Sequence, residues 1–260
     1  MIPYFPQPSL PLGPFTIHAF GVLVAAAVLV GVSILKRRSL AEGLDPDIAT
    51  RLVTHVLVCG FVGAHLVDRL VYFPAETLAE PWTLLFLWEG LSSFGGFLGG
   101  LVGALIFFRR TRLGDRTLRY LDAIAYALPF GWVLGRLGCF LAYDHPGEPT
   151  TFFLGQRYLD GLVRHNLGLE EALYTIPVAV LFTVLGQKRR PAGFFLGLLA
   201  VLYAPARFFL DFLRIVDVRY LGLTPGQYGA IALLIAGLVI LMRSGGRTSL
   251  RLAGIIARIG

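Results

Sequence analysis

Charge is scarce in this chain. Only 15% of its 260 residues are Asp, Glu, Lys or Arg, against about 25% in a soluble globular protein. The net charge of +7 and pI near 9.7 therefore do not point to a nucleic-acid partner, because a binder of nucleic acid needs its basic residues on a solvated face. Cysteine is nearly absent as well. Cys59 and Cys139 cannot form a disulfide framework, and neither has the sequence neighbours of a zinc site, so no metal and no cofactor are expected. Lysine occurs only at Lys36 and Lys188, which excludes a retinal protein with a Schiff-base lysine in its seventh helix. What is abundant is apolar: 56% of the residues, with a mean hydropathy of +0.71. That content excludes disorder and leaves an integral membrane protein.

A spanning helix needs about 20 mostly apolar residues. Seven stretches qualify: 16–35, 52–73, 82–108, 121–143, 173–187, 193–216 and 224–242. The expected fold is thus all-α, a single seven-helix membrane domain over residues 1–260. The opening MIPYFPQPSLPLGP has no cationic region, so the first span reads as an uncleaved helix. Cytoplasmic loops are enriched in Lys and Arg, and 16 of the 23 basic residues follow spans one, three, five and seven. The N-terminus is therefore expected outside and the C-terminus cytoplasmic. The longest polar stretch, 144–171, falls outside between spans four and five. The basic tail RSGGRTSLRLAGIIARIG reads either as an interfacial helix or as a frayed end.

Ionisable residues within the bilayer are expensive and point to function. With the orientation set, they gather in one outer-leaflet layer: His65, Asp68 and Arg69 on span two, Glu89 on span three, Arg136 on span four, and Arg207, Asp211 and Arg214 on span six. The inner halves are nearly free of charge, which speaks against a transporter with a polar path through both leaflets. Arginines outnumber carboxylates among the deepest residues, so an anion is expected there. Arginine suits phosphate because its planar fork of donors matches the oxygens and stays charged. At this depth the phosphate is most simply that of a phospholipid headgroup. Individually, Arg207 and Asp211 also fit an intrahelical pair at i and i+4. The small-residue run GLSSFGGFLGGLVGA fits either close helix crossing or a lipid groove. Pro205 should loosen span six where its charged face begins. Ser92 and Ser93 lack a convincing histidine partner for an intramembrane protease.

The segment GRLGCFLAYDHPGEPT, residues 135–150, resembles the signature of the bacterial prolipoprotein diacylglyceryl transferases, a GR-[IL]-G-N-F opening followed by an acid and a glycine. Four further motifs resemble that family in the same order: LGPFTIHAFG, GLSSFGG, YAPARFFLDFLR and LGLTPGQY. The resemblance covers nearly the whole chain. It implies a multi-pass enzyme of the bacterial cytoplasmic (inner) membrane that transfers diacylglyceryl from phosphatidylglycerol to the lipobox cysteine thiol of a prolipoprotein. It further implies that glycerol phosphate leaves. By the motif match, Arg136 and Arg207 take the phosphate, and Asp144, Gly147 and Asp211 fall on other functional positions. Gly95 and Gly96 fall within the span-three motif.

The sequence also departs from the family pattern. Phe94 replaces the histidine of the span-three motif, Cys139 the signature asparagine and Phe20 a tyrosine near the first span. Asp144 and Asp211 each stand for a glutamate. His145 adjoins Asp144, and His65 occupies a position that is usually arginine. Two readings follow. Either His145 or His65 has taken over proton abstraction, or phosphate activation suffices, in a divergent transferase. Alternatively, the scaffold binds phospholipid with altered or lost transfer.

Overall fold

The computed structural model describes residues 1–13, 15–86, 90–215 and 219–256, with the side chains of 12, 15, 93, 94 and 245–256 excepted. The chain is mostly helical, and among the described residues six helices are long and apolar enough to cross a membrane. It divides into two compact units, Met1–Arg38 with Leu121–Gly260, and Ser39–Tyr120.

The first unit begins with a hairpin, β1 (Ser9–Leu12) and β2 (Phe15–His18), paired antiparallel. This strand displaces the start of the first long helix, α1 (Ala19–Ala41), three residues beyond the expected boundary at 16. Within the second unit, α2 (Pro46–Val67) starts on an Asp45 cap whose carboxylate accepts from Asp47 N at 2.8 Å, with proline pre-set for the first turn. It runs into a π-helical turn, Asp68–Tyr72, and a short α3 (Pro74–Ala79). The expected third span does not begin at Trp82. Pro81–Leu85 form a 3-10 turn, and α4 (Ser93–Thr111) starts on a Ser92 cap. Glu89 and the side chain of Phe94 lie outside the described residues.

α2 and α4 cross backbone to backbone. A Cβ on Gly63 would stand 2.8 Å from Gly99 Cα, and one on Gly99 would overlap the Cys59 carbonyl. Small residues permit this approach, with dispersion and weak polar contacts as its reward. The glycine run thus serves helix crossing, with Gly95 buried against Gly63 and Val67 and Gly96 beside Ala64. Cys59 packs into the same seam against Gly103.

Back in the first unit, α5 (Thr117–Ala142) ends in a Tyr143 with φ of +57°. After it, within the 144–171 stretch, comes a three-stranded sheet: β3 (Pro146–Pro149), β5 (Val163–Asn166) and β4 (Gln156–Arg157), in that spatial order. Ile2 bridges to Gln156, and the Tyr143 hydroxyl bonds both Phe5 N and Phe5 O. The expected fifth span, 173–187, is too short. Asn166 caps α6 (Leu167–Leu185), accepting from Leu169 N at 3.1 Å, so the last five residues of the 144–171 stretch are helix. α7 (Phe194–Leu210) continues through Pro205. α8 (Pro225–Ile256) is continuous, so the basic tail is helical as far as Ile256.

Among the described residues, one core cluster of this unit is Val178, Phe182 and Phe195, flanked by Tyr126 and Phe130. Arg38 closes it. Its guanidinium lies 4.5 Å from the Tyr126 ring centroid and 4.9 Å from that of Phe195, and donates to the Gly186 carbonyl at 2.9 Å.

Candidate active site

Three helix ends of the first unit, those of α5, α6 and α7, carry the charged side chains. Arg136 stands near the end of α5, its side chain 14% exposed, with Nε 3.1 Å from Glu171 Oε1. Glu171, only 3% exposed, also accepts from Trp132 Nε1 at 2.7 Å. The Arg136 guanidinium lies 4.9 Å from the Trp132 ring centroid and donates weakly to Cys139 Sγ at 3.9 Å. A charge placed this deep costs several kcal/mol, roughly, unless it is paired and hydrogen-bonded, and Glu171 does both. Glu171 reaches this place because α6 begins at Leu167. Reading that segment as extramembrane polar chain concealed it, although an asparagine before LGLEEAL is a helix-start signal.

On α7, Arg207 Nη2 is 3.0 Å from Asp211 Oδ1, confirming the i, i+4 pair, and Arg214 Nε approaches the same oxygen at 3.9 Å. Asp211 is fully buried. Its other oxygen accepts from the Thr224 hydroxyl at 2.6 Å. Thr224 and Gln227 form a reciprocal capping box at the head of α8: Gln227 N donates to Thr224 Oγ1, and Thr224 N to Gln227 Oε1. Gln227 Nε2 also bonds the Phe208 carbonyl. Gly226 leaves room for the carboxylate, since a Cβ there would overlap Asp211 Oδ2. The LTPGQ motif is therefore a clamp on Asp211.

The two arginine groups share neighbours. The Tyr203 phenol senses the charges of Glu171, Arg207 and Arg136 together. His145 likewise senses Asp144, Arg136, Arg214 and Glu171. Burial keeps its imidazole below the usual histidine pKa, against the opposing pull of Asp144. The αL turn at Tyr143 folds the chain back over the last turn of α5, with Asp144 N donating to Cys139 O at 3.3 Å. His145 Nδ1 then lies 3.4 Å from Asp144 Oδ2. Asp144 is 54% exposed at its side chain.

The other expected residues fall as follows. Gly147 sits where β3 meets both His165 and the Leu213 carbonyl, and it bridges to Arg214, so it positions backbone. Phe20 packs its ring against Gly138 of α5. His65 is fully buried on α2 in the second unit, where Gly95 and Gly96 serve the seam already described. Chemically, Arg136 and Arg207, each paired with a buried carboxylate, suit an anion of phosphate geometry.

Comparison with known proteins gives a consistent picture. A family model described as prolipoprotein diacylglyceryl transferase matches residues 8–243. A phosphatidylglycerol–prolipoprotein diacylglyceryl transferase of Tolumonas auensis is 30% identical over 241 residues, covering 90% of this chain and 93% of the relative. One of Bordetella bronchiseptica is 32% identical over 245 residues, covering 88% and 91%. One of Nitratidesulfovibrio vulgaris is 31% identical over 249 residues, covering 92% and 94%.

Proposed function

The chain belongs to the prolipoprotein diacylglyceryl transferase family, and from that premise we propose that it transfers diacylglyceryl from phosphatidylglycerol to the cysteine thiol of a lipobox peptide. The observation that carries this reading is the arginine group of Arg136, Arg207 and Arg214, held by buried Glu171 and Asp211. In the reaction the thiol sulfur forms a bond to the glyceryl carbon as that carbon's bond to the phosphate oxygen breaks. Glycerol phosphate leaves with the electron pair, and the thiol proton departs. Charge develops on the leaving oxygen, where preorganised guanidinium donors are most effective. Glu171 and Asp211 fix those donors beforehand, so little reorganisation accompanies the chemistry. The thiol proton is taken by His145, whose Nδ1 lies 3.4 Å from Asp144 Oδ2.

The same reading sets the protein in the bacterial cytoplasmic membrane with seven spans, the N-terminus outside and the C-terminus cytoplasmic. The basic residues after alternate spans support the orientation. The nineteen residues of α4 support the span expected at 82–108, which adds to the six long apolar helices. The test is rescue of a bacterial strain depleted of its own transferase, alongside transfer of labelled diacylglyceryl to a lipobox peptide by purified protein. Rescue by the parent and failure of Arg136→Ala and Arg207→Ala are expected. A parent that binds phosphatidylglycerol without modifying the peptide would overturn the enzymatic reading in favour of a lipid-binding homologue.

A further inference from the structure

Trp132 stands one turn before Arg136 on α5, at i and i+4, so the two side chains share a face and the arginine leans back over the indole. The guanidinium carbon lies 4.9 Å from the ring centroid. Indole Nε1 donates to Glu171 Oε1 at 2.7 Å, and Arg136 Nε is 3.1 Å from that same oxygen. Trp132, Glu171 and Arg136 therefore form a closed triangle in which each side chain meets the other two. A tryptophan near a membrane surface ordinarily turns its N–H to the wet interface. This one turns it inward, to a carboxylate that is 3% exposed. The ring also meets Tyr203 of α7 edge to face, with centroids 5.9 Å apart and planes at 83°. Tyr203 precedes Arg207 by one turn of that helix. The indole thus ties the Arg136 guanidinium to the helix that carries the second arginine.

We propose that Trp132 is a positioning residue for the transfer: with its N–H on Glu171 and its face against Arg136, it fixes the plane and the free edge of the guanidinium that meets the phosphate. The role rests on the transferase reading. An arginine held at Nε alone can still turn about its outer torsions, and a ring face against the guanidinium removes that freedom. The indole covers one face and Glu171 takes Nε. The Nη atoms remain for substrate, on the side where Nη1 reaches Cys139 Sγ at 3.9 Å. A phosphodiester carries one negative charge while its carbon–oxygen bond is intact and gains a second as glycerol phosphate leaves. Donor alignment therefore matters more in the transition state than in the bound lipid, so its loss registers in kcat more than in KM.

The experiment measures initial rates with short-chain phosphatidylglycerol and a lipobox peptide, on the full chain in detergent and well below each variant's Tm. Trp132→Phe keeps a ring face and loses the donor. Its kcat should fall about tenfold, with KM for phosphatidylglycerol unchanged within about twofold. Trp132→Leu loses both contacts and should fall further, towards about a hundredfold. Arg136→Lys leaves no planar group to align, so Trp132→Phe should cost less than about threefold on top of it, whereas a packing role would cost the same factor in both backgrounds. A second readout needs no turnover. Tryptophan occurs only at Trp82, Trp88 and Trp132, so Trp82→Phe with Trp88→Phe leaves Trp132 as the sole indole. Its emission should shift when phosphatidylglycerol is added, and Arg136→Lys should abolish the shift. Parent-like kcat in Trp132→Phe, a change confined to KM, or an equal loss in both backgrounds overturns the positioning role. Emission indifferent to the lipid, or a shift that persists in Arg136→Lys, overturns it as well. A parent chain that transfers to no peptide overturns the transferase reading instead, with the emission still deciding whether Trp132 acts through Arg136 on the bound lipid.

Discussion

Glu171→Ala tests whether the charged cluster is held together as described. The substitution removes the carboxylate that meets Arg136 Nε at 3.1 Å and Trp132 Nε1 at 2.7 Å. Removing one partner of a buried pair costs about 3–5 kcal/mol, because the remaining charge is uncompensated. The lower end applies here, since Arg136 keeps the Trp132 face and the Cys139 sulfur as neighbours. About 3 kcal/mol corresponds to a fall in Tm of roughly 6–12 °C for a chain of this size. Glu171→Gln keeps an acceptor for Trp132 and loses only the charge, so its cost should be near 1–2 kcal/mol. The assay is thermal unfolding at fixed detergent, together with initial rates of diacylglyceryl transfer. Both variants should lose at least tenfold in rate as Arg136 loses its orientation. The decisive arm is the double variant Arg136→Ala with Glu171→Ala. It should recover stability relative to Glu171→Ala alone while remaining inactive, as expected where the cost is an unpaired buried charge. A double variant less stable than the single one, or a Glu171→Ala protein with unchanged Tm, would refute the reasoning.

Gly226→Ala should push the Asp211 carboxylate off Arg207 and Thr224 and lower the transfer rate at least tenfold. Gly229→Ala, three residues on in the same helix with open space around it, should be silent or stabilise by up to about 1 kcal/mol. In the α2–α4 seam, Gly99→Ala meets backbone that cannot yield and should cost about 1–3 kcal/mol, measured as a lower Tm. Gly100→Ala, which meets the Val56 side chain at 3.4 Å, should cost less. Tyr158, outside the spans, has a buried hydroxyl without a hydrogen-bond partner among the described residues, and burial pushes its pKa up to about 12. The unfolded chain releases that proton near pH 10, so stability is lost as pH rises from about 10 towards 12. Tyr158→Phe should be neutral or stabilising at pH 7 and show a flatter alkaline decline in unfolding experiments.

Arg136 and Arg207 were legible in the sequence because a charge in an apolar run has few reasons to be there. The i, i+4 spacing of Arg207 and Asp211 was legible for the same reason. Glu171 was not, because hydropathy assigns a residue with polar neighbours to the loop, whereas the Asn166 cap draws it into the helix. The LTPGQ segment could be matched as a family motif, but its role depends on a carboxylate thirteen residues upstream of Thr224 that only the folded chain brings into contact. The grouping of Cys139 with Asp144 and His145 depends on one tyrosine in a left-handed conformation, which no sequence pattern announces. The small sheet was hidden by strands two to four residues long, too short for alternation to be read.

Arg38 belongs to the basic cluster after the first span that supports the proposed topology, yet its guanidinium is committed to Tyr126, Phe195 and the Gly186 carbonyl. A charge used for orientation usually remains in the loop and stays dispensable once insertion is over. This one becomes a latch. Withdrawing α1 would uncover two aromatic faces and orphan a carbonyl, so on the proposed topology a residue that helps choose the direction of insertion also opposes its reversal. A lysine there would preserve the choice of direction but lose the flat fork that spans both rings, giving a protein correctly inserted and poorly locked.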